Sequence, residues 1–158
     1  VAGRQCGFSY IGLLVLVALL STALAGAGEL WRTQARRERE AMLLFHGREL
    51  ADAITAYHDH TPAGRRAAFP QRLDDLLDDR RWPTTRRHLR RIPLDPMTGR
   101  AQWGLEQGPD GGIVGVHSLS RAVPLKRAGF AEHEAKFAEA ATVGDWHFVY
   151  RAPASAEN

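Results

Sequence analysis

Three stretches of this chain hold side chains whose type and spacing could do chemistry. His58-Asp59-His60 sets two imidazoles around a carboxylate, a donor set suited to a divalent metal. No cysteine or further carboxylate is fixed beside it, and the breaker cluster His60-Thr61-Pro62-Ala63-Gly64 begins there. A solvated loop is the preferred reading, and no metal site is expected. Asp74, Asp75, Asp78 and Asp79 could be read as paired catalytic carboxylates. Their spacing puts them instead on the wet side of a short amphipathic helix built on Leu73, Leu76 and Leu77. Arg80, Arg81, Arg86, Arg87, Arg90 and Arg91, with Trp82 and His88 among them, form the most suggestive patch. Guanidinium groups with an interleaved aromatic can follow a nucleic-acid backbone. Pairing with the aspartates just upstream, across neighbouring subunits, is the simpler reading, so nucleic acid is not the expected partner. No nucleophile elbow, phosphate loop, zinc-helix motif or dinucleotide fingerprint is present, and neither an enzyme nor a cofactor is expected.

These residues depend on elements that the rest of the sequence must build. The chain has 158 residues, enough for one ordinary domain, and its net charge of +3 does not by itself imply a polyanionic partner. Its one cysteine, Cys6, can make neither an internal disulfide nor a structural zinc site, so packing must hold the fold. From Phe8 to Gly28 there is no charged residue, close to the length needed to cross a bilayer as a helix. Trp31 and Arg32 follow as interfacial anchors would. The helical pattern then continues: Leu30, Ala35, Met42, Leu43, Phe45, Leu50, Ala53, Ile54 and Tyr57 recur at spacings dominated by three and four, with Gly47 the only glycine between Glu29 and His60. One helix from about Phe8 to about Tyr57 would be roughly 75 Å long.

Beyond it, Trp82-Pro83 stops the short helix at Leu73–Leu77, and Thr84 or Thr85 is positioned to cap another over 86–91. Asp95-Pro96-Met97-Thr98-Gly99 is a turn. Strands are expected over 102–106, 113–118 and 145–151, the last with Trp146, Phe148 and Tyr150 on one face. Residues 132–141 are either an inserted helix or a loop. The fold class is α+β: a long N-terminal helix packed on a small antiparallel sheet. The tryptophans are read as core or interface residues.

The order Gly7-Phe8-Ser9-Tyr10-Ile11-Gly12-Leu13-Leu14 resembles the processing site of type IV pilins and type II secretion pseudopilins. Phe69-Pro70-Gln71-Arg72-Leu73-Asp74-Asp75-Leu76-Leu77 resembles the helix that follows the long helix in that family. Arg91-Ile92-Pro93-Leu94-Asp95-Pro96-Met97-Thr98-Gly99 resembles its turn into the sheet, and Ile113 to Ser118 falls where it has a strand. The resemblance implies a prepilin peptidase cut between Gly7 and Phe8, N-methylation of Phe8, and a pilin-like fold. It divides the chain into a leader (1–7), a transmembrane half-helix (8–28), a periplasmic half-helix (29–60), an α+β head (61–152) and a tail (153–158). Implied partners are other pilin-like subunits through the N-terminal helix, the peptidase, the inner-membrane platform of the assembly machine, and lipid. The implied location is the bacterial inner membrane, single-pass, with the head in the periplasm.

Two departures stand out. The family's usual glutamate at the fifth position after the cut is Gly12, which removes a pairing with a neighbour's N-terminal amine and points to a minor or divergent subunit. The stretch from Ser120 to Arg127 has no carboxylate, so the family's calcium loop is not carried over. Arg32, Arg36, Arg37 and Arg39 against Arg4 alone would, by charge counting, favour the opposite orientation. The alternative reading is a domain released by ordinary signal peptidase near residue 26 or 28, whose arginine patch binds DNA or another polyanion.

Overall fold

In a computed structural model the backbone is described for residues 6–152, and side chains for residues 10–21 and 28–152. The order is one α-helix, α1 (Cys6–Asp59), and three strands, β1 (Gly104–Gln107), β2 (Ile113–His117) and β3 (Phe148–Val149). Between them run 3-10 turns at Leu73–Leu76, Glu132–Glu139 and Val143–Asp145. The chain divides into two compact units, Val1–Glu38 and Arg39–Asn158.

The first unit is described as helix alone. Tyr10, Ile11, Leu13, Leu14, Val15, Leu16, Val17, Leu19 and Leu20 are 51–64% exposed, with no charge among them. Among the described residues no helix is long and apolar enough to cross a membrane. The side chains of 22–27, which belong to the same uncharged run, lie outside the described residues, as do residues 1–5, the side chains of Gly7 and Phe8, and residues 153–158.

The second unit is the α+β arrangement expected. Leu43, Leu50 and Ile54 are fully buried on one stripe of α1, with Leu44, Ala51, Ala53 and Tyr57 beside them. Ile113, Val116, Phe148, Trp146 and Val143 complete the same core. Met42 and Phe45, assigned to the apolar face by spacing, are exposed. The sheet order is β1-β2-β3, antiparallel throughout, with Gly104 opposite His117, Glu106 opposite Gly115, and Val116 opposite Phe148. Val116 and Phe148 face the core, so the side chains one step away face outward.

Gly47 explains how the sheet reaches the helix. A Cβ there would lie 2.4 Å from the Phe148 ring, well inside van der Waals contact. The absent side chain is the place where β3 is seated against α1. At the turn, Gly99 has φ +71, and Asp95 N and Gly99 N close it by donating to Arg100 O and Asp95 O.

The regular elements are shorter than the sequence pattern suggested. Leu73–Leu76 is a 3-10 turn whose start is fixed by Asp75 Oδ2, which accepts from Gln71 N and Arg72 N at 2.9 Å each. No helix forms over 86–91. His88 N and Leu89 N instead donate to Leu76 O, and Asp79 N donates to Arg86 O, so bonds to a distant segment replace the intrahelical ones. The first strand begins at Gly104 because Trp103 turns inward to donate from Nε1 to Pro93 O at 2.9 Å. The last strand keeps two residues: Trp146 donates its Nε1 to Phe137 O, Trp146 and Phe148 are buried, and Tyr150 is half-buried. The open question at 132–141 resolves to the 3-10 turn Glu132–Glu139.

Gly47→Ala should destabilise the second unit by about 1–3 kcal/mol through overpacking against Phe148, although alanine in a helix interior ordinarily gains about 1 kcal/mol over glycine. Urea unfolding of the full chain in detergent, followed by tryptophan fluorescence, measures the difference. An unchanged or higher midpoint would refute the close approach of β3 to α1.

Candidate functional site

The carboxylates and arginines of residues 74–91 do not form one surface. Asp79, expected on a wet helix face, is buried, with its side chain fully out of solvent. Arg81 grips it with Nε on Oδ1 at 2.9 Å and Nη2 on Oδ2 at 2.8 Å, and Arg81 N adds a third bond to Oδ1 at 3.1 Å. His88 Nε2 meets Oδ2 at 3.1 Å. The same guanidinium donates to Tyr57 O at the last turn of α1 and lies 3.5 Å from the centre of the Tyr57 ring. A cation at the carbonyl end of a helix also complements the helix dipole.

Burial would by itself raise the Asp79 carboxyl. The bonds from Arg81 and His88 outweigh it and hold the group well below the usual carboxylate range. For His88 burial is the larger effect, and it lowers the ring's affinity for a proton against the opposing pull of Asp79. Asp79, Arg81 and His88 are therefore an internal tie between the loop and the end of α1.

The other arginines stay outside. Arg80 pairs with Asp78 at 3.3 Å on the surface, and Arg72 pairs likewise with Asp74 at 2.9 Å. Arg86 lies over the Trp82 ring at 4.6 Å, and Arg87, Arg90 and Arg91 are exposed. The expected patch thus loses Arg81 to the interior and keeps Arg80, Arg87, Arg90 and Arg91 at the surface. The pairing of arginine with neighbouring aspartate occurs within the chain itself.

His58-Asp59-His60 is not a solvated loop either. His58 and Asp59 belong to the final turn of α1. The His58 ring stacks on Phe69 at 4.4 Å and meets Tyr150 edge-on at 4.8 Å, and Tyr150 Oη donates to Asp59 Oδ1 at 3.2 Å. His60 turns back to Ala56 O at 2.9 Å. His58 Nδ1 also meets Asp59 Oδ1 at 2.9 Å, but His60 turns away from that pair, so the three side chains do not converge on one point.

Two further polar anchors went unread in the sequence. Glu40 is buried on α1, where its carboxylate accepts Leu125 N at 2.8 Å and Lys126 N at 2.9 Å. The loop without a carboxylate of its own thus takes one from the helix, by hydrogen bonding. Arg48 donates Nε to Glu134 Oε1 at 2.7 Å and Nη2 to Oε2, fixing the 3-10 turn Glu132–Glu139 to α1. Glu134 is buried, which opposes ionisation. The paired bonds from Arg48 overcome that and lower its pKa. Both glutamates sit at helical positions among other charges, so nothing local distinguishes them from wet-face residues.

Among the described residues one group of donors could hold a metal: Glu106, His117 and His147, whose ligand atoms lie within 4.8 Å of one another. Spacing does not reveal it, because the three come from β1, β2 and the residue just before β3, and they meet only through the sheet register. Gly12 has open space around it, and the nearby apolar side chains of α1 meet no core. No protein-family model, curated protein or solved structure matches the chain.

The tie at Asp79 sets a pH dependence. A depressed carboxylate stabilises fully above its ordinary value of 3.8, and that contribution disappears as pH falls through the lower folded value. His88, with a lowered folded pKa, is fully stabilising above its ordinary 6.5 and loses that contribution on acidification below it. The urea midpoint should therefore fall in two stages, one beginning below pH 6.5 and one below pH 4. Asp79→Asn should cost about 3 kcal/mol at pH 7 and flatten the second stage, leaving the part due to Glu134. A variant with wild-type stability and an unchanged acid limb would contradict this account.

Proposed function

We propose that the chain is a pseudopilin-like structural subunit of a type II secretion or type IV pilus-like filament. In this reading it is stored in the bacterial inner membrane and assembled by lateral packing of N-terminal helices. The observation that carries the reading is the N-terminal part of α1, where a helix apolar on every side is exposed from Tyr10 to Leu20. Such a surface needs lipid or other helices around it. The order of residues Gly7 to Leu14 supports the same reading, as does an α+β unit whose core is laid down on the C-terminal part of the same helix.

The mechanism is transfer of one surface between two apolar environments. In the membrane the side chains from Phe8 to Gly28 are covered by lipid; in the filament the same side chains are covered by neighbouring subunits, and the second unit faces outward. No catalytic group or cofactor takes part. Gly12 brings no carboxylate into the apolar layer. Attraction to a neighbour's amine is then absent, which suits a minor or divergent subunit better than a bulk one.

The test is the mature N-terminus. Expression of the full chain with a prepilin peptidase, followed by N-terminal mass spectrometry, should give a chain beginning at Phe8, and methylation of that residue reports whether the carboxylate at position 12 is dispensable. A start at residue 26 or 28 would replace this reading with a released polyanion-binding module, and an uncut chain would leave a plain membrane-anchored protein.

A further inference from the structure

We propose that Glu106, His117 and His147 form a three-ligand site for a divalent transition metal, zinc in the first instance, on the outer face of the sheet. The proposal is independent of filament assembly and concerns residues within the second unit alone.

The register builds the site. His117 stands at the end of β2, the central strand, opposite Gly104 of β1. Glu106 lies two residues along β1 and so projects from the same face. On the other side Val116 pairs with Phe148, and the residues next to them, His117 and His147, have their rings 5.0 Å apart. Strand alternation therefore sends all three side chains away from the core that Val116 and Phe148 enter.

Two glycines keep the face clear. A Cβ at Gly104 would lie 2.1 Å from His117 Nε2, so the imidazole can lie over β1 only because no side chain is there. With Nε2 over Gly104, Nδ1 is directed toward Glu106. Gly115, in the central strand β2, would likewise place a Cβ 2.7 Å from Val149 Cγ1.

The outcome is convergence of two ring nitrogens on one oxygen. His117 Nδ1 and His147 Nδ1 are each 2.8 Å from Glu106 Oε1, and the two rings are 5.0 Å apart. The His147 contact is a hydrogen bond. The His117 Nδ1 is buried and makes no hydrogen bond, although Glu106 Oε1 lies 2.8 Å away. A buried imidazole nitrogen left without a hydrogen bond beside a carboxylate is a ligand atom available to a metal ion.

The donor chemistry selects the ion. Two imidazoles and one carboxylate favour zinc and its borderline neighbours over calcium or magnesium, which take oxygen. Donors bound at about 2.1 Å in a tetrahedron stand about 3.4 Å apart. The atoms here bracket that value, between 2.8 Å and 4.8 Å. Half-buried Glu106 and His117 form the floor, and exposed His147 leaves the fourth position to water.

The ion would join strands that the sheet does not join. In the sheet β1 and β3 both pair with β2, and β3 is two residues long. A metal held by Glu106 and His147 links them directly, in a head that has no cysteine for a disulfide.

The test uses the full chain in detergent, untagged and stripped with chelator. Zinc chloride is titrated by calorimetry and by competition with a chromophoric chelator, with cobalt as a spectroscopic substitute. Expected are one ion per chain with Kd below about 10 μM, tetrahedral cobalt absorption, and a melting temperature raised by about 5–10 °C at saturation. His147→Ala, at an exposed position, and Glu106→Gln, nearly isosteric, should each weaken binding by about 100-fold or more while remaining folded. His60→Ala should bind as the parent does. The proposal is overturned by binding no tighter than about 100 μM, by binding that survives both ligand substitutions, or by loss in His60→Ala.

Discussion

One stripe of α1 has to be covered, and little regular structure is available to cover it. Leu43, Leu50 and Ile54 leave no surface in water, yet the strands opposite contribute only Gly104–Gln107, Ile113–His117 and Phe148–Val149. Most of the covering chain is therefore turns and loops, whose backbone groups need partners and whose entropy has to be overcome without a disulfide. The helix supplies those partners at intervals. Glu40 accepts from the 125–126 loop, Arg48 holds Glu134, and the ring and carbonyl of Tyr57 receive Arg81. Buried charge is costly on its own, but Glu40 accepts hydrogen bonds from the loop it holds and buried Glu134 accepts them from Arg48. Packing sets the stripe, and charged anchors decide which loop lies over which turn of it.

Another buried carboxylate, Asp95, does the same work away from the helix. Asp95 accepts Met97 N at 2.8 Å, Thr98 Oγ1 at 3.0 Å and Ser118 Oγ at 2.8 Å. The turn that begins at Asp95 is thereby pinned to the end of β2, just beyond His117. Register on the outer face of the sheet thus depends on a polar contact as well as on the β1–β2 ladder, and it is this register that brings Glu106, His117 and His147 together.

The parts legible in the sequence were those with a period or a forced conformation. A three-and-four repeat over Leu30 to Tyr57 marks α1, alternation of Trp146, Phe148 and Tyr150 marks the segment of β3, and Asp95 to Gly99 has the residues of a turn. Illegible were the segments whose local preference lost to distant partners. Thr84 or Thr85 could have capped a helix over 86–91, but Leu76 O takes the amides of His88 and Leu89. Asp79 occupies a position that looks wet beside Asp78, and only Arg81 and His88 folding back make it dry. Gly47 could be seen as the one glycine of its stretch, but the ring of Phe148 that requires it comes from the far end of the chain. The His117 cluster had no chance of being read along the chain, because it is assembled from β1, β2 and the residue that precedes β3.

The anchors along α1 also govern which changes of length the chain can absorb. One residue inserted into the helix between Gly47 and Tyr57 turns everything beyond it by about 100°. That single step would carry Tyr57 away from Arg81 while Gly47 stayed against Phe148. Between Pro62 and Ala68 the chain is largely exposed, and an added residue there displaces no buried side chain. A change of length is therefore best absorbed in such connecting segments, and the spacing from Glu40 through Arg48 to Tyr57 behaves as a fixed ruler.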